Sequence, residues 1–418
     1  MEKLEVIGSR KLTGEVRVHG AKNSALPILA AALLISGESV IHNCPDLSDV
    51  KASLSILSHL GCRCKREDDT LIINSEKISR YDIPEALMRE MRSSIIFLGA
   101  IIARCKKAAL SSPGGCEIGP RPIDLHLSSF RSLGVDVIEE HGFINCSCES
   151  LIGKDVYLSI PSVGATENVM IAAALAEGTT RILNAAREPE IIDLAEFLNK
   201  AGAKIRGAGS SDIIIEGVKR LNSVEHTVIP DRIIAATYMS AAAITGSDIC
   251  LKNARKEHLG AIVSAYETMG CEFKYQKDEL RIISPERLKR LKAIRTHYYP
   301  GFPTDAGPLL IAAALKAEGT SIFIENIFEN RFRFANELSR LGADIKVEGR
   351  TAVVEGVRRL SGATVKCTDL RGGAALMIAS LGAEGKTEIY DIHHIDRGYE
   401  APERYLGSLG AEIKRINI

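Results

Sequence analysis

Cys116 sits in SSPGGCEIGPRPIDLH (111–126), a stretch rich in Gly and Pro, with Arg121 five residues beyond it. The stretch has neither helix nor strand periodicity and reads as a mobile loop. A guanidinium close to a thiol stabilises the thiolate and lowers the thiol pKa from its usual value of about 8.5. Of ten cysteines, Cys116 alone has a setting that suits a reactive thiol. The pairs Cys62/Cys64 and Cys146/Cys148 are separated by a single residue, short of zinc-knuckle spacing. Most other thiols read as small apolar side chains in a reducing compartment. No His-based nucleophile pattern surrounds Cys116, and no GxxxxGK followed by Ser or Thr occurs, which argues against a P-loop kinase. In HHIDRGYE (393–400), His393 and His394 are adjacent and share no helix face. Arg397 beside them suits an anion better than a metal ion.

A second set of ionisable residues recurs at fixed places. Each of six Ala-rich apolar segments opens on polar residues: Lys22 and Asn23, Arg92, Ser162 and Thr166, Asp231 and Arg232, Asp305, and Asp369 with Arg371. Free N–H groups and the positive end of the dipole make a helix start an anion site. Asp231 or Ser162 alone fits an ordinary cap equally well. Lys and Arg do not, because the dipole disfavours cations there. Lys22, Arg92, Arg232 and Arg371 therefore point to bound anions. The formal net charge is zero, so any such site comes from local placement and not from bulk charge. Neither nucleic acid nor an anionic membrane is expected as a partner.

The elements that carry these residues form an internal repeat. A bulky residue, a Gly and a strand-like run recur six times, at Gly61, Gly134, Gly202, Gly270, Gly342 and Gly410, 68 to 73 residues apart. Each Gly follows a helical pattern and precedes a strand, the place of a helix C-terminal glycine. The Ala-rich helices, such as NVMIAAALA and GPLLIAAAL, are apolar on nearly every face and must be buried. Helices inside and sheets outside follow. With 418 residues the chain suits two domains of three repeats, with the break near VEHTVIPDR (224–232). The opening strand, residues 1 to about 20, is expected to complete the second domain, leaving a cleft between the two. The first residues lack the apolar core of a signal peptide, and no apolar run is long enough to span a bilayer. A cytoplasmic location is expected.

Nine phrases in order along the chain carry a resemblance: GAKNSALP (20–27), PGGCEIGPRPIDLH (113–126), PSVGATEN (161–168), NAAREPEI (184–191), PDRI (230–233), GFPTD (301–305), FENRF (328–332), TDLR (368–371) and HIDRGYE (394–400). Over essentially its whole length the sequence resembles the enolpyruvyl transferases, and among them those acting on UDP-N-acetylglucosamine. The resemblance implies an α/β fold of two inside-out α/β barrel domains, each of three βαβαββ-like repeats. It implies domains of 22–229, with a catalytic loop at about 112–122, and of 1–21 plus 230–418. It further implies transfer of the enolpyruvyl group of phosphoenolpyruvate to the 3-hydroxyl of UDP-N-acetylglucosamine, with release of phosphate. That is the first committed step of peptidoglycan synthesis, and the thiol loop is the target of the epoxide fosfomycin.

Carried over by motif, Lys22, Asn23, Arg121 and Arg397 engage phosphoenolpyruvate. Arg92, Arg121, Pro122, Ile123, Asp124, Leu125, Ser162, Val163, Asp305 and Ile327 line the sugar-nucleotide site. Arg331, Asp369, Arg371 and His394 complete the site. Cys116 is the candidate acid at C3, Asp305 the candidate base for the hydroxyl, and Lys22 acts with them. No metal or organic cofactor is implied, and a monomer is expected. Some positions depart from the family pattern: Ile234 after PDRI, Ala306 and Gly307 after GFPTD, and Gly372 with Gly373 after TDLR. They suggest a divergent copy. A shikimate-type transferase is the nearest alternative enzyme, but it lacks the cysteine loop. A regulatory paralogue that binds UDP-sugar would be expected to lose Lys22, Cys116, Asp305 or Arg397, and all four are present.

Overall fold

The computed structural model describes residues 2–8, 10–111 and 123–417. These residues form two compact units, one of 20–111 with 123–229 and one of 2–19 with 230–417.

The first unit is built around three helices, Lys22–Ala32, Phe97–Cys105 and Val163–Ala173. Only the opening or closing residues of each reach solvent, as their all-round apolar sequences require. Their counterparts in the second unit are Arg232–Thr245, Gly307–Ala314 and Leu370–Leu381, which pack on one another. Pro27 lies inside the first helix and Pro308 in the first turn of Gly307–Ala314, where a missing N–H costs nothing. Outside them run amphipathic helices with one buried stripe, such as Ser48–Leu60 and Pro189–Lys200.

Among the described residues the strands form six four-stranded sheets of one pattern. An edge strand runs parallel to its neighbour, and two antiparallel strands complete the sheet. In the first unit, for example, Asp82–Ile83 lies parallel to Lys107–Ser111, which pairs antiparallel with Phe143–Ser147, itself paired with Asp136–Glu140. Strands alternate buried and exposed residues, so one face covers the helices and the other meets water. Each unit closes with a strand distant in sequence. Val224–Thr227 lies parallel to Glu38–His42 in the first. In the second, Glu2–Ile7 fits between Lys386–Tyr390 and Glu412–Asn417, with Leu4 opposite Ile389 and Arg415.

The repeat glycines explain the periodicity. Gly61, Gly134, Gly202, Gly270, Gly342 and Gly410 all have φ between 86° and 109°, left-handed values that L side chains rarely adopt. Each turns the chain out of an outer helix into the next strand. The fold is thus the expected one: two units of three repeats with buried helices and outer sheets. No helix of the described residues is long and apolar enough to cross a membrane.

Candidate active site

Three groups singled out in the sequence meet in the second unit. Asp305 lies in a 3-10 turn, Thr304–Ala306, that leads into helix Gly307–Ala314. Its Oδ1 accepts from Arg331 Nη2 at 2.8 Å. Its Oδ2 lies 3.1 Å from Arg371 Nη2 and accepts from Arg371 Nε at 3.2 Å. Both guanidiniums are almost wholly buried, while Asp305 keeps about a quarter of its side chain exposed, at 27%. Burial opposes the charge of Arg371, but Asp305, Tyr399 and Asp231 outweigh it and shift its pKa upward. Two guanidiniums thus share the one Asp305 carboxylate at hydrogen-bonding distance, and Asp231 acts on Arg371 as well. Arg331 Nε and Arg371 Nη1, both buried, have no hydrogen-bond partner among the described residues.

Asp369 sets Arg371 in place. It is the N-cap of Leu370–Leu381, and its Oδ1 accepts from the N–H groups of Arg371 and Gly372 at 3.1 and 3.0 Å. The Arg371 guanidinium lies over the Tyr399 ring, 5.5 Å from its centroid, and the Tyr399 hydroxyl meets Thr237 Oγ1 at 3.0 Å. The pair Gly372 and Gly373 has a packing reason. A Cβ on Gly372 would come within 2.8 Å of Phe334 Cβ, and one on Gly373 within 2.9 Å of Cys367 Sγ. His394 and Arg397 belong to the short helix His393–Asp396 and its C-terminal end, which packs against Leu370–Leu381. Ile327 is half-buried, and its N–H donates to Glu325 Oε1.

In the first unit Lys22 opens the first buried helix with its ammonium 2.7 Å from Asp49, and both side chains are under a tenth exposed. Asn23 beside it is exposed. Ser162 caps Val163–Ala173 by accepting from Ala165 N at 3.3 Å. Ile123 is the cap residue before helix Asp124–Ser132, where Asp124 is exposed and Leu125 half-buried. Arg92 begins a 3-10 turn, Arg92–Ile96, that runs into Phe97–Cys105. Cys116, Arg121 and Pro122 lie outside the described residues.

Asp231 and Ser162, for which a cap fitted the sequence equally well, do serve as caps, and so does Asp369. The basic residues at Lys22 and Arg371, for which a ligand anion was expected, already have a protein carboxylate as counter-charge, Asp49 or Asp305. The reading also missed Asp49, Glu325, Tyr399 and Asn168. A signal for two of them exists. Asp49 falls on the buried stripe of Ser48–Leu60, with Ser53, Ile56 and Leu60. Glu325 continues the buried phase of strand Thr320–Ile324 after Ser321 and Phe323. An acid on an apolar face needs a partner.

Asn168 and His126 organise the first unit. Asn168 Oδ1 accepts from Gly99 N at 2.7 Å, and its Nδ2 lies 2.9 Å from Ile95 O and 3.0 Å from His126 Nδ1. The amide therefore donates to both, so His126 Nδ1 accepts and the ring proton sits on Nε2. Burial holds the His126 pKa down at about 4, against a smaller upward pull from Asp124. Nearby Glu167 is wholly buried, and burial together with Glu190 and Glu188 pushes its pKa well above the ordinary range.

The model of the family described as EPSP synthase (3-phosphoshikimate 1-carboxyvinyltransferase) matches residues 6–406. A protein of Caldanaerobacter subterraneus subsp. tengcongensis, named UDP-N-acetylglucosamine 1-carboxyvinyltransferase 2, is 52% identical over the full length of both chains. One of Symbiobacterium thermophilum, named UDP-N-acetylglucosamine 1-carboxyvinyltransferase 1, is 53% identical over 99% of this chain and 95% of its own. Among solved structures, the enolpyruvyl transferase NikO from Streptomyces tendae superposes with a TM-score of 0.90 at 25% identity, over 100% of this chain and 99% of its own. EPSP synthase from Acinetobacter baumannii superposes over the full length of both chains with a TM-score of 0.74 at 17% identity, a likeness of fold alone.

Proposed function

We infer that this chain, which belongs to the enolpyruvyl transferase family, transfers the enolpyruvyl group of phosphoenolpyruvate to the 3-hydroxyl of UDP-N-acetylglucosamine and releases phosphate. The observation that carries this reading is full-length identity of about half to relatives named for that sugar nucleotide. The family model itself is described by a shikimate substrate. The thiol loop around Cys116 favours the UDP-sugar branch.

The chemistry proceeds by addition and elimination. The sugar 3-hydroxyl attacks C2 of phosphoenolpyruvate, its proton passes to Asp305, and C3 takes a proton from Cys116. In the second step the C2–O bond to phosphate breaks and C3 gives up a proton, which restores the double bond. The two buried guanidiniums of Arg331 and Arg371 beside Asp305 support the reading, because fixed cations stabilise shifting negative charge without reorganising. The uncommitted Arg331 Nε and Arg371 Nη1 are donors suited to a carboxylate or phosphate. Lys22, Asn23, Arg121 and Arg397 take the phosphoenolpyruvate anion. Arg92, Pro122, Ile123, Asp124, Leu125, Ser162, Val163 and Ile327 take the sugar nucleotide, with Asp369 and His394 beside them. The reaction is assigned to the cytoplasm, as the first committed step of peptidoglycan synthesis.

Phosphate release from phosphoenolpyruvate, with and without UDP-N-acetylglucosamine, tests the reading. Sugar-dependent release is expected. Sugar binding without release in the wild type would mark a regulatory paralogue. Fosfomycin is expected to modify Cys116, and faster with UDP-N-acetylglucosamine present. A mass spectrum with another cysteine labelled would count against the loop assignment.

A further inference from the structure

Glu325 is 1% exposed and follows strand Thr320–Ile324. A carboxylate persists at that depth only where donors saturate it. Its Oε1 accepts from Thr296 Oγ1 at 2.9 Å, Ile327 N at 2.7 Å and Phe328 N at 3.1 Å. Its Oε2 accepts from Thr304 Oγ1 at 2.8 Å. Thr304 immediately precedes Asp305, and the segment held through Ile327 and Phe328 leads to Arg331. Arg331 Nη2 returns to the same place, donating to Thr304 O at 3.1 Å and to Asp305 at 2.8 Å. The Glu325 carboxylate and the Arg331 guanidinium thus close a ring through Thr304. Asp305 itself lies in the 3-10 turn Thr304–Ala306, which has no side-chain cap.

We propose that Glu325 is the positioning residue for Asp305, acting through the Thr304 hydroxyl, and that this link sets the rate of the transfer step; the proposal rests on the functional reading above. Thr296 provides an internal control. It donates to the same carboxylate, but it is buried itself and its other bonds, from Asn326 N at 2.9 Å and from Asn326 Nδ2 to its carbonyl at 3.0 Å, are to Asn326 and not to the turn that carries Asp305.

The test compares Thr304→Val with Thr296→Val in the full-length protein. Each substitution keeps the side-chain shape and removes one hydrogen bond to Glu325. Steady-state phosphate release is measured with both substrates, and thermal unfolding is followed in parallel. Misplacing a reacting group by about 1 Å costs on the order of 100-fold. Thr304→Val should therefore lose between about 10- and 100-fold in kcat with little change in either KM. Thr296→Val should stay within about twofold in kcat, even where its thermal midpoint falls further. Thr304→Ser, which keeps the hydroxyl, should restore activity. Glu325→Gln should retain more activity than Glu325→Ala, since the Thr304 hydroxyl can turn to accept from the new amide.

Equal kcat for the two valine variants would overturn the proposal. So would a Thr304→Val loss confined to KM. If Thr304→Val does not fold, the Glu325→Gln and Glu325→Ala pair decides, and equal kcat in these two overturns it. A wild-type protein that releases no phosphate overturns the functional reading and the proposal together, whereas an active wild type with an unaffected Thr304→Val overturns the proposal alone.

Discussion

Asn168 in the first unit and Glu325 in the second tie backbone segments together from almost complete burial, but with opposite electrical character. Asn168 is neutral and shares its bonds among Gly99, Ile95 and His126. Glu325 is acceptor-only and receives four donors. Their neighbours follow suit. Beside Asn168 burial lowers the His126 pKa, and burial with Glu190 and Glu188 raises that of nearby Glu167, so both shifts favour the neutral form. Beside Glu325 the buried guanidiniums of Arg331 and Arg371 are matched by the partly exposed Asp305 carboxylate. Full burial thus does not dictate one solution: a site removes the charge or matches it. Matching serves where charge must be presented to a reacting substrate. Removal serves where segments need only be held. Lys22 with Asp49 shows that the first unit also matches charge at the one helix start that carries a proposed catalytic cation.

Breaking the ionic side should have the largest effect. Asp305→Ala removes the proposed base, and a lost general base costs about 100- to 10,000-fold in rate. It also strands two buried guanidiniums, which should lower stability by about 3 kcal/mol. Asp305→Asn separates the two roles. It keeps an acceptor for the guanidiniums but not the base, so turnover should fall as far while the thermal midpoint falls less. Phosphate release together with denaturant unfolding reads both. Equal stability losses in the two variants would mean that the carboxylate charge, and not its hydrogen bonding, holds Arg331 and Arg371.

The neutral hub should answer differently. Asn168→Ala leaves the Gly99 N–H, the Ile95 carbonyl and the His126 ring without their buried partner, worth about 3 kcal/mol in all. Asn168→Asp should be no better, because a carboxylate donates to neither the carbonyl nor the ring. Of the proposed sugar-nucleotide residues, Arg92 and Asp124 lie near its anchors Ile95 and His126 in sequence, and Ser162 lies near Asn168 itself. The kinetic loss is therefore expected in KM for UDP-N-acetylglucosamine more than in kcat. A kcat loss at unchanged KM would show that the first unit, like the second, tunes chemistry through its hub.

The sequence disclosed the layout of both units because layout rests on repeated local signals. Glycine before each strand needs only a left-handed φ, and an all-apolar helix has no other place than the interior. Caps at Asp231 and Ser162 were readable for the same reason, since a cap bonds two or three residues ahead. The partners of Lys22 and Arg371 were not readable. Arg371 finds Asp305 66 residues away, and nothing local to either residue specifies the other. Asn168 was quoted within a motif but carried no charge or reactive atom to mark it. Its role comes from three segments arriving at one amide. The tolerance of helix Leu370–Leu381 for paired glycines likewise depends on Phe334 and Cys367 crowding it from elsewhere in the chain.

The finest contrast is in acid–base behaviour, and it lies within the first unit. His126 titrates near 4 in the folded protein and near 6.5 when unfolded. Between those values the unfolded chain binds more protons, so this group makes stability fall as pH drops from 6.5 to 4. Glu167 acts in the opposite sense. Its folded pKa lies well above the unfolded 4.5, so the unfolded chain binds fewer protons and stability falls as pH rises through 4.5 and beyond. From pH 4.5 to 6.5 the two contributions oppose each other, so Glu167 should flatten the rise in stability with pH that His126 alone would give. Glu167→Gln should uncover the His126 slope, with stability rising with pH across this window. His126→Gln should uncover the Glu167 slope, with stability falling. The His126 slope approaches one proton, or about 1.4 kcal/mol per pH unit, and the Glu167 slope has the opposite sign. Urea unfolding of the two variants from pH 4.5 to 6.5 measures them, and slopes of the same sign would mean that one of these groups is not buried in the neutral form.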